Sequence, residues 1–170
     1  NKIISDLLEY SIELRLELAE TTPKTIVKEA LSLVEVPKNI QVSDSTRTEP
    51  KIRVDMEKMK RVFVNIIKNA IDAMPKGGKL TIKSKKTRGN LEIAFTDTGI
   101  GMPKDTVEKL WAPLFTTKAK GMGLGLAICK RVVEAHGGSI SAESTIGKGT
   151  TLTVTIPIQP RLEGGEKIWV

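Results

Sequence analysis

The chain has 170 residues, 39% hydrophobic and 28% charged, with a formal net charge of +7. That length suits one ordinary domain, or one with a short attachment, able to bury roughly 70% of its unfolded surface. The composition excludes a disordered or fibrous chain, and the sequence holds neither an apolar run near the roughly 18 residues of a membrane span nor a signal-peptide pattern. With one cysteine, Cys129, and one histidine, His136, an intramolecular disulfide and a closed zinc site are both excluded, and the lone thiol suits a reducing cytoplasm.

The basic excess includes Lys83, Lys85, Lys86, Lys118 and Lys120. A nucleic-acid reader would interleave such lysines with aromatic stacking residues or carry a helix-turn-helix. The three Phe, two Trp and one Tyr form no such platform. The charge is expected to form a solvated basic face or to attract an acidic partner or a phosphate ligand, with no nucleic acid as partner.

Ile3, Ile4, Leu7 and Leu8 have the spacing of one helical face, and the period then changes to two over Ile12, Leu14, Leu16 and Leu18. Residues 1–11 are therefore expected to be the closing turns of an upstream helical domain, with a strand starting near residue 12, and Asn1 is not expected to be a natural start. Thr22 before Pro23 predicts an N-cap with proline at the first helical position, followed by an apolar stripe of Ile26, Val27, Ala30, Leu31 and Val34. Short strands are expected at 40–43 and 51–54. Asp55 can cap a long helix in which Met59, Val62, Phe63, Ile66, Ile67, Ala70 and Ala73 recur at helical spacing, stopped by Pro75 and Gly77-Gly78.

Alternating segments at 80–87 and 91–96 flank Arg88-Gly89-Asn90 and predict a β-hairpin. A short helix is expected at 103–111, no regular element at 112–121, and a third long helix at 124–134, ended by His136-Gly137-Gly138. A last hairpin joins 139–144 to 151–158, and a tail follows from 160. Helices alternating with antiparallel hairpins predict an α+β fold. The expected form is a two-layer α/β sandwich, with a mixed, mostly antiparallel sheet packed on three helices and its other face partly solvated.

Three sequence features could carry chemistry. Asn65 and Asn69 stand four apart on the second long helix, so their amides share one face, expected opposite much of the apolar stripe. Mg²⁺ keeps several waters and takes few protein oxygens beside nucleotide phosphates. A neutral amide would thus hold it only together with phosphate, although such a spacing also arises by chance on a polar helix face. Asp97 ends a strand before Gly99-Ile100-Gly101, where an acceptor-only carboxylate suits the exocyclic amine of adenine and repels the carbonyl of guanine. Asp-x-Gly is equally a common turn. Gly121-Met122-Gly123-Leu124-Gly125-Leu126 opens the third helix, whose unpaired N–H groups favour an anion. It is neither a dinucleotide fingerprint nor a P-loop, and by itself it is also consistent with a mobile loop entering a helix.

Taken in order, the Asn65/Asn69 helix, the turn at 97–101, the segment Trp111 to Lys118, the loop Gly121 to Leu126 and Gly149-Thr150 resemble the catalytic ATP-binding domain of sensor histidine kinases. They match its N, G1, F and G2 boxes over about residues 12–158. The wider superfamily includes DNA gyrase, the Hsp90 chaperones and the MutL repair proteins, and the resemblance implies their Bergerat fold with a flexible ATP lid. It further implies ATP and Mg²⁺ as cofactors: Asn69 coordinates the metal, and Asn65 contacts phosphate or a metal-bound water. Asp97 binds adenine with the Gly99-Ile100-Gly101 turn, and Thr150 supports that site through a water shared with Asp97. Phe115, Thr116, Thr117 and Lys118 with Gly121 to Leu126 form the lid, residues 112–122 are expected to be mobile until the γ-phosphate is bound, and Lys118 neutralises that phosphate as the catalytic residue. The run from Asn65 to Met74 looks like the nitrogen-regulation branch, although Asp72 stands where many branches have lysine.

The family's phosphoacceptor box, a histidine followed by an acidic residue, is missing. His136 beside Gly137-Gly138 fits a cap favoured by the helix dipole. The acceptor is therefore expected upstream. The implied organisation is a catalytic domain over 12–159 and a tail over 160–170, monomeric as a fragment and cytoplasmic, either by itself or as the cytoplasmic part of a membrane-bound sensor. Its partners would be its own dimerisation domain in a homodimer and a response regulator. Rival readings are an ATP-driven clamp like Hsp90 or MutL, an anti-sigma serine kinase and a non-catalytic nucleotide sensor.

Overall fold

A computed structural model describes residue 4, residues 14–113, residue 115 and residues 125–160. The expected upstream helix at 1–11 and the tail at 160–170 fall outside these, apart from residues 4 and 160. In chain order the elements are β1 (Leu18–Thr21), α1 (Pro23–Ser32), β2 (Ile40–Ser45), β3 (Ile52–Asp55) and α2 (Met56–Asp72). There follow β4 (Gly78–Thr87), β5 (Asn90–Asp97), α3 (Lys104–Lys109), α4 (Gly125–Ala135), β6 (Ser139–Thr145) and β7 (Gly149–Pro157).

The helix starts follow their capping residues. Thr22 Oγ1 accepts the Thr25 N–H at 3.1 Å and Pro23 opens α1, while Asp55 Oδ1 accepts the Lys58 N–H at 3.0 Å and opens α2. The second Asp55 oxygen accepts the Glu17 N–H at 2.9 Å and faces the Lys58 ammonium at 3.4 Å. Burial would raise this carboxyl, but the two N–H bonds and the Lys58 charge outweigh it and hold the group below the usual carboxylate range.

Five strands form the main sheet in the order β2-β4-β5-β7-β6, with β2 parallel to β4 and the other pairs antiparallel. The β4–β5 hairpin turns on two residues, Arg88 and Gly89, rather than on 88–90, because Thr87 already pairs with Asn90. Both have positive φ, 44° and 81°, the sign that matches a tight turn to the twist of its strands. Inward-facing Leu80 and Ile82 of β4, Leu91, Ile93 and Phe95 of β5, and Leu152, Val154 and Ile156 of β7 are buried. The alternate residues, including Lys83 and Lys85, face outward, and Lys85 pairs with Glu92 across the strands at 3.5 Å.

The helices form one layer on the inward face. The middle helix, α2, packs against α1 on one side and α4 on the other and lies on β5, where the Phe63 and Phe95 rings meet at 5.2 Å and 58°. The short α3 packs on β6 and buries no residue, so three helices carry the core, as the sequence predicts. Among the described residues no helix is long and apolar enough to cross a membrane.

Two expectations are corrected. The strand predicted from residue 12 begins at Leu18, because its antiparallel partner β3 is only four residues long. The ladder stops where Leu18 meets Asp55, and the Glu17 N–H goes instead to the Asp55 carboxylate. In addition, β1 and β3 form a separate two-stranded sheet, outside the main one.

Candidate functional site

Three neighbouring strands end their inward rows with a polar residue at the same level. Asp97 follows Phe95 on β5, Thr150 precedes Leu152 on β7, and Ser144 follows Ala142 on β6. Thr150 lies directly opposite Ser144 and one step from the Thr96–Thr151 pair that brings β7 beside the end of β5. The apolar core thus gives way, on one edge, to a line of hydrogen-bonding groups.

Asp97 is 6% exposed, and its Oδ1 accepts the N–H groups of Gly99 at 2.9 Å and Thr150 at 3.2 Å. Burial pushes its carboxyl up, and those two bonds pull it only part of the way back, so it stays above the ordinary aspartate value. The turn after it is clamped on both sides. The Ile100 N–H donates to Ala73 O at the end of α2 at 2.9 Å, and Ile100 O accepts the Gly147 N–H of the β6–β7 turn at 2.8 Å. At Gly101, φ is +69° and a Cβ would lie 2.1 Å from Thr145 O; at Gly149, φ is +121° and a Cβ would lie 2.0 Å from Asp97 O. Only glycine permits these approaches. The Ile100 side chain, held by this turn, is 63% exposed.

Thr150 is buried. Its direct link to Asp97 is the main-chain N–H, while its hydroxyl lies 2.7 Å from Ser144 Oγ. Ser144 Oγ also accepts the Met102 N–H at 2.8 Å and donates to Gly149 O at 3.1 Å. Ser144 was not singled out from the sequence. The signal available was the alternation Ile140, Ala142, Ser144, which places it inward once the hairpin register is known.

The second group of residues lies on α2. Asn65 and Asn69 are both half-buried, and Asn65 does not point away from the core: its Oδ1 is 3.4 Å from where a Cβ of Gly125 would stand, at the start of α4. It therefore lies in the α2–α4 seam, within hydrogen-bonding reach of the Cys129 thiol. Burial pushes that thiol up to about 12, with the Asn65 bond a smaller opposing influence, so Cys129 is an inert core residue. Leu126, in the first turn of α4, packs against the core, and Phe115 is half-buried with its N–H on Ala112 O at 3.3 Å. Thr116, Thr117, Lys118, Gly121, Met122, Gly123 and Leu124, and with them the expected mobility at 112–122 beyond residue 115, lie outside the described residues.

His136 is not the charged cap that its position suggested. It is 7% exposed; its Nδ1–H donates to Val132 O at 2.7 Å and its Nε2 accepts the Asp55 N–H at 3.0 Å. A carbonyl only accepts and an amide only donates, so the ring is neutral with its proton on Nδ1. Burial lowers its affinity for a second proton more than the Val132 bond restores it.

Comparison with known proteins places the chain in a family. Residues 54–160 match the family described as histidine kinase-, DNA gyrase B-, and HSP90-like ATPase, and the chain belongs to this family of ATP-using domains. It is 41% identical over 129 residues to sporulation kinase C of Bacillus subtilis (strain 168), covering 76% of this chain and 29% of that protein. It is 35% identical over 162 residues to the sensor histidine kinase ZraS of Escherichia coli (strain K12), covering 93% and 35%. The chain thus spans about a third of the length of these curated relatives. Its fold is similar to that of the histidine kinase ThkA solved in complex with the response regulator protein TrrA, with a TM-score of 0.80, 30% identity, and coverage of 94% of this chain and 47% of that one.

Proposed function

We propose that the chain is the phosphoryl-donor part of a two-component sensor histidine kinase: it binds ATP and presents the γ-phosphoryl group to a histidine on a dimerisation domain outside this sequence. The observation that carries this reading is Asp97, a buried carboxylate fixed through one oxygen by two backbone N–H groups, at the edge of the core and between close-packed backbone turns. Its second oxygen would accept the amine of adenine, a donor that offsets the burial of the charge. The Gly99-Ile100-Gly101 turn would lie against the base, and Thr150 would support Asp97.

The α2 amides suit the other end of the ligand. Asn65 faces the first turn of α4, where helix N–H groups favour a phosphate. Asn65 would contact phosphate or its hydration, and Asn69 would hold Mg²⁺ together with phosphate oxygens, a donor set that fits a hard ion sharing its ligands with a nucleotide. When bound, that ion supplies charge neutralisation along the phosphate chain. Lys118, with Phe115, Thr116, Thr117 and residues 121–126 as a lid, would neutralise the γ-phosphate. The work of this chain is then orientation, exclusion of water and electrostatics.

The acceptor histidine would lie on the protein's own dimerisation domain, upstream of residue 12, in a cytoplasmic homodimer of the nitrogen-regulation-like branch. The ThkA–TrrA complex supports a response regulator as the downstream partner. His136 is unsuited to be the acceptor, since both ring nitrogens are engaged inside the core. Incubation with γ-labelled ATP tests the reading: the chain alone should stay unlabelled, and adding its dimerisation domain should give acid-labile, alkali-stable phosphate. Stable phosphoserine on either piece would overturn it.

A further inference from the structure

Ser144 is central to the polar edge of the sheet, yet it belongs to none of the motifs by which the site was found. Its oxygen joins three pieces of backbone and side chain: the Met102 N–H just beyond the Gly99-Ile100-Gly101 turn, the Gly149 carbonyl, and the Thr150 hydroxyl at 2.7 Å. A serine hydroxyl has one proton to give. If that proton goes to Gly149 O, the Thr150 hydroxyl must turn its own proton to Ser144 and offer only lone pairs to the site. If it goes to Thr150 Oγ1, the Thr150 proton is released for a ligand atom. Ser144 therefore decides which end of the Thr150 hydroxyl the site presents, and it ties the turn after Asp97 to the β6–β7 hairpin that supplies the second N–H to Asp97.

We propose that Ser144 is a positioning residue of the adenine site, acting through Thr150 and the Met102 amide to hold the two walls around Asp97 in register. The inference rests on the adenine reading of Asp97 given above. A residue that merely stabilised the fold would alter melting and leave base preference alone. A positioning residue alters affinity for the base itself, so adenosine and ATP lose the same factor.

The test is equilibrium binding of ATP, GTP and adenosine to the full chain at a temperature where circular dichroism shows every variant folded. Ser144→Ala should weaken ATP and adenosine alike by roughly three- to tenfold, the net effect of one or two neutral hydrogen bonds, and should narrow the preference for ATP over GTP. Ser144→Thr should restore both, and Ser144→Cys, which keeps the shape with a weak donor, should fall between and serves if the alanine variant does not fold. In a Thr150→Val background, Ser144→Ala should show less than half of its effect, because the two hydroxyls act as one unit. Unchanged ATP and adenosine affinity in Ser144→Ala, or full additivity with Thr150→Val, overturns the inference while leaving the adenine reading intact. A wild-type chain indifferent to the base overturns that reading, and this inference with it.

Discussion

The two ends of α2 each meet a buried titratable side chain, and the two are held in opposite ways. At its start, His136 reaches from the end of α4 to the Asp55 N–H and to Val132 O, so that both ring nitrogens are used. Beyond its other end, Asp97 is equally buried, but both of the backbone bonds described fall on one oxygen. Burial weakens the charged form in both, lowering His136 and raising Asp97. The difference lies in bonding capacity. The imidazole is saturated as a neutral bracket, whereas the carboxylate carries a charge that is only partly compensated, which a ligand donor can complete. Burial and a shifted pKa alone would have placed the two residues in the same class.

This contrast breaks if His136 matters for nucleotide binding. His136→Ala should leave the Asp55 N–H unpaired and open a gap between α4 and α2, lowering unfolding free energy by about 2–4 kcal/mol. ATP affinity of the folded variant should be unchanged. Urea unfolding combined with ATP titration below the melting range checks both parts, and a large loss of affinity at unchanged stability would reverse the assignment.

The proposed phosphate end gives the next effect in size. Asn69→Ala should weaken ATP roughly tenfold, about 1.4 kcal/mol, in the presence of Mg²⁺ and hardly at all in EDTA. Titration calorimetry in the two buffers separates an amide acting through metal from a structural one, since equal losses would make Asn69 structural.

The smallest effect is a pH dependence. His136 is the sole histidine, and its folded-state pKa lies below its unfolded value. Between the two values the unfolded chain binds more protons, so stability rises with pH there. The His136 contribution is fully present above about 6.5 and is lost as pH falls through the folded pKa, with a slope of at most about 1.4 kcal/mol per pH unit. The difference in stability between wild type and His136→Ala, followed by urea unfolding from pH 8 to pH 5, should shrink as pH falls. A difference that grows would show that the folded protein prefers the charged ring.

Much of this was legible in the sequence because local signals and tertiary packing agree. Thr22, Pro23 and Asp55 cap the helices they precede, and the period of Met59 to Ala70 gives the buried face of α2. Asp97 was legible as an acceptor at a strand end. The parallel pairing of β2 with β4 was not, because a parallel partner leaves no local turn signal. Nor was the separate β1–β3 sheet, whose start is set by where β3 becomes α2. The Ser144–Met102 and His136–Asp55 bonds join residues 42 and 81 positions apart, and no periodicity encodes these. The Asn65/Asn69 spacing gave a shared face, but only the packing of α4 showed that Asn65 lies in a seam.

In the proposed function the spare acceptor of Asp97, rather than its burial, selects the ligand. Competition binding of ATP against GTP to wild type and Asp97→Asn tests it most directly. The asparagine keeps the shape and one acceptor but loses the charge and can offer its NH₂ to guanine. Wild type should prefer ATP by roughly ten- to a hundredfold, about 1.5–3 kcal/mol, and the substitution should lower ATP affinity and narrow that gap. Equal binding of ATP and GTP by wild type, or a ratio unmoved by the substitution, would contradict the claim and reduce Asp97 to a turn residue.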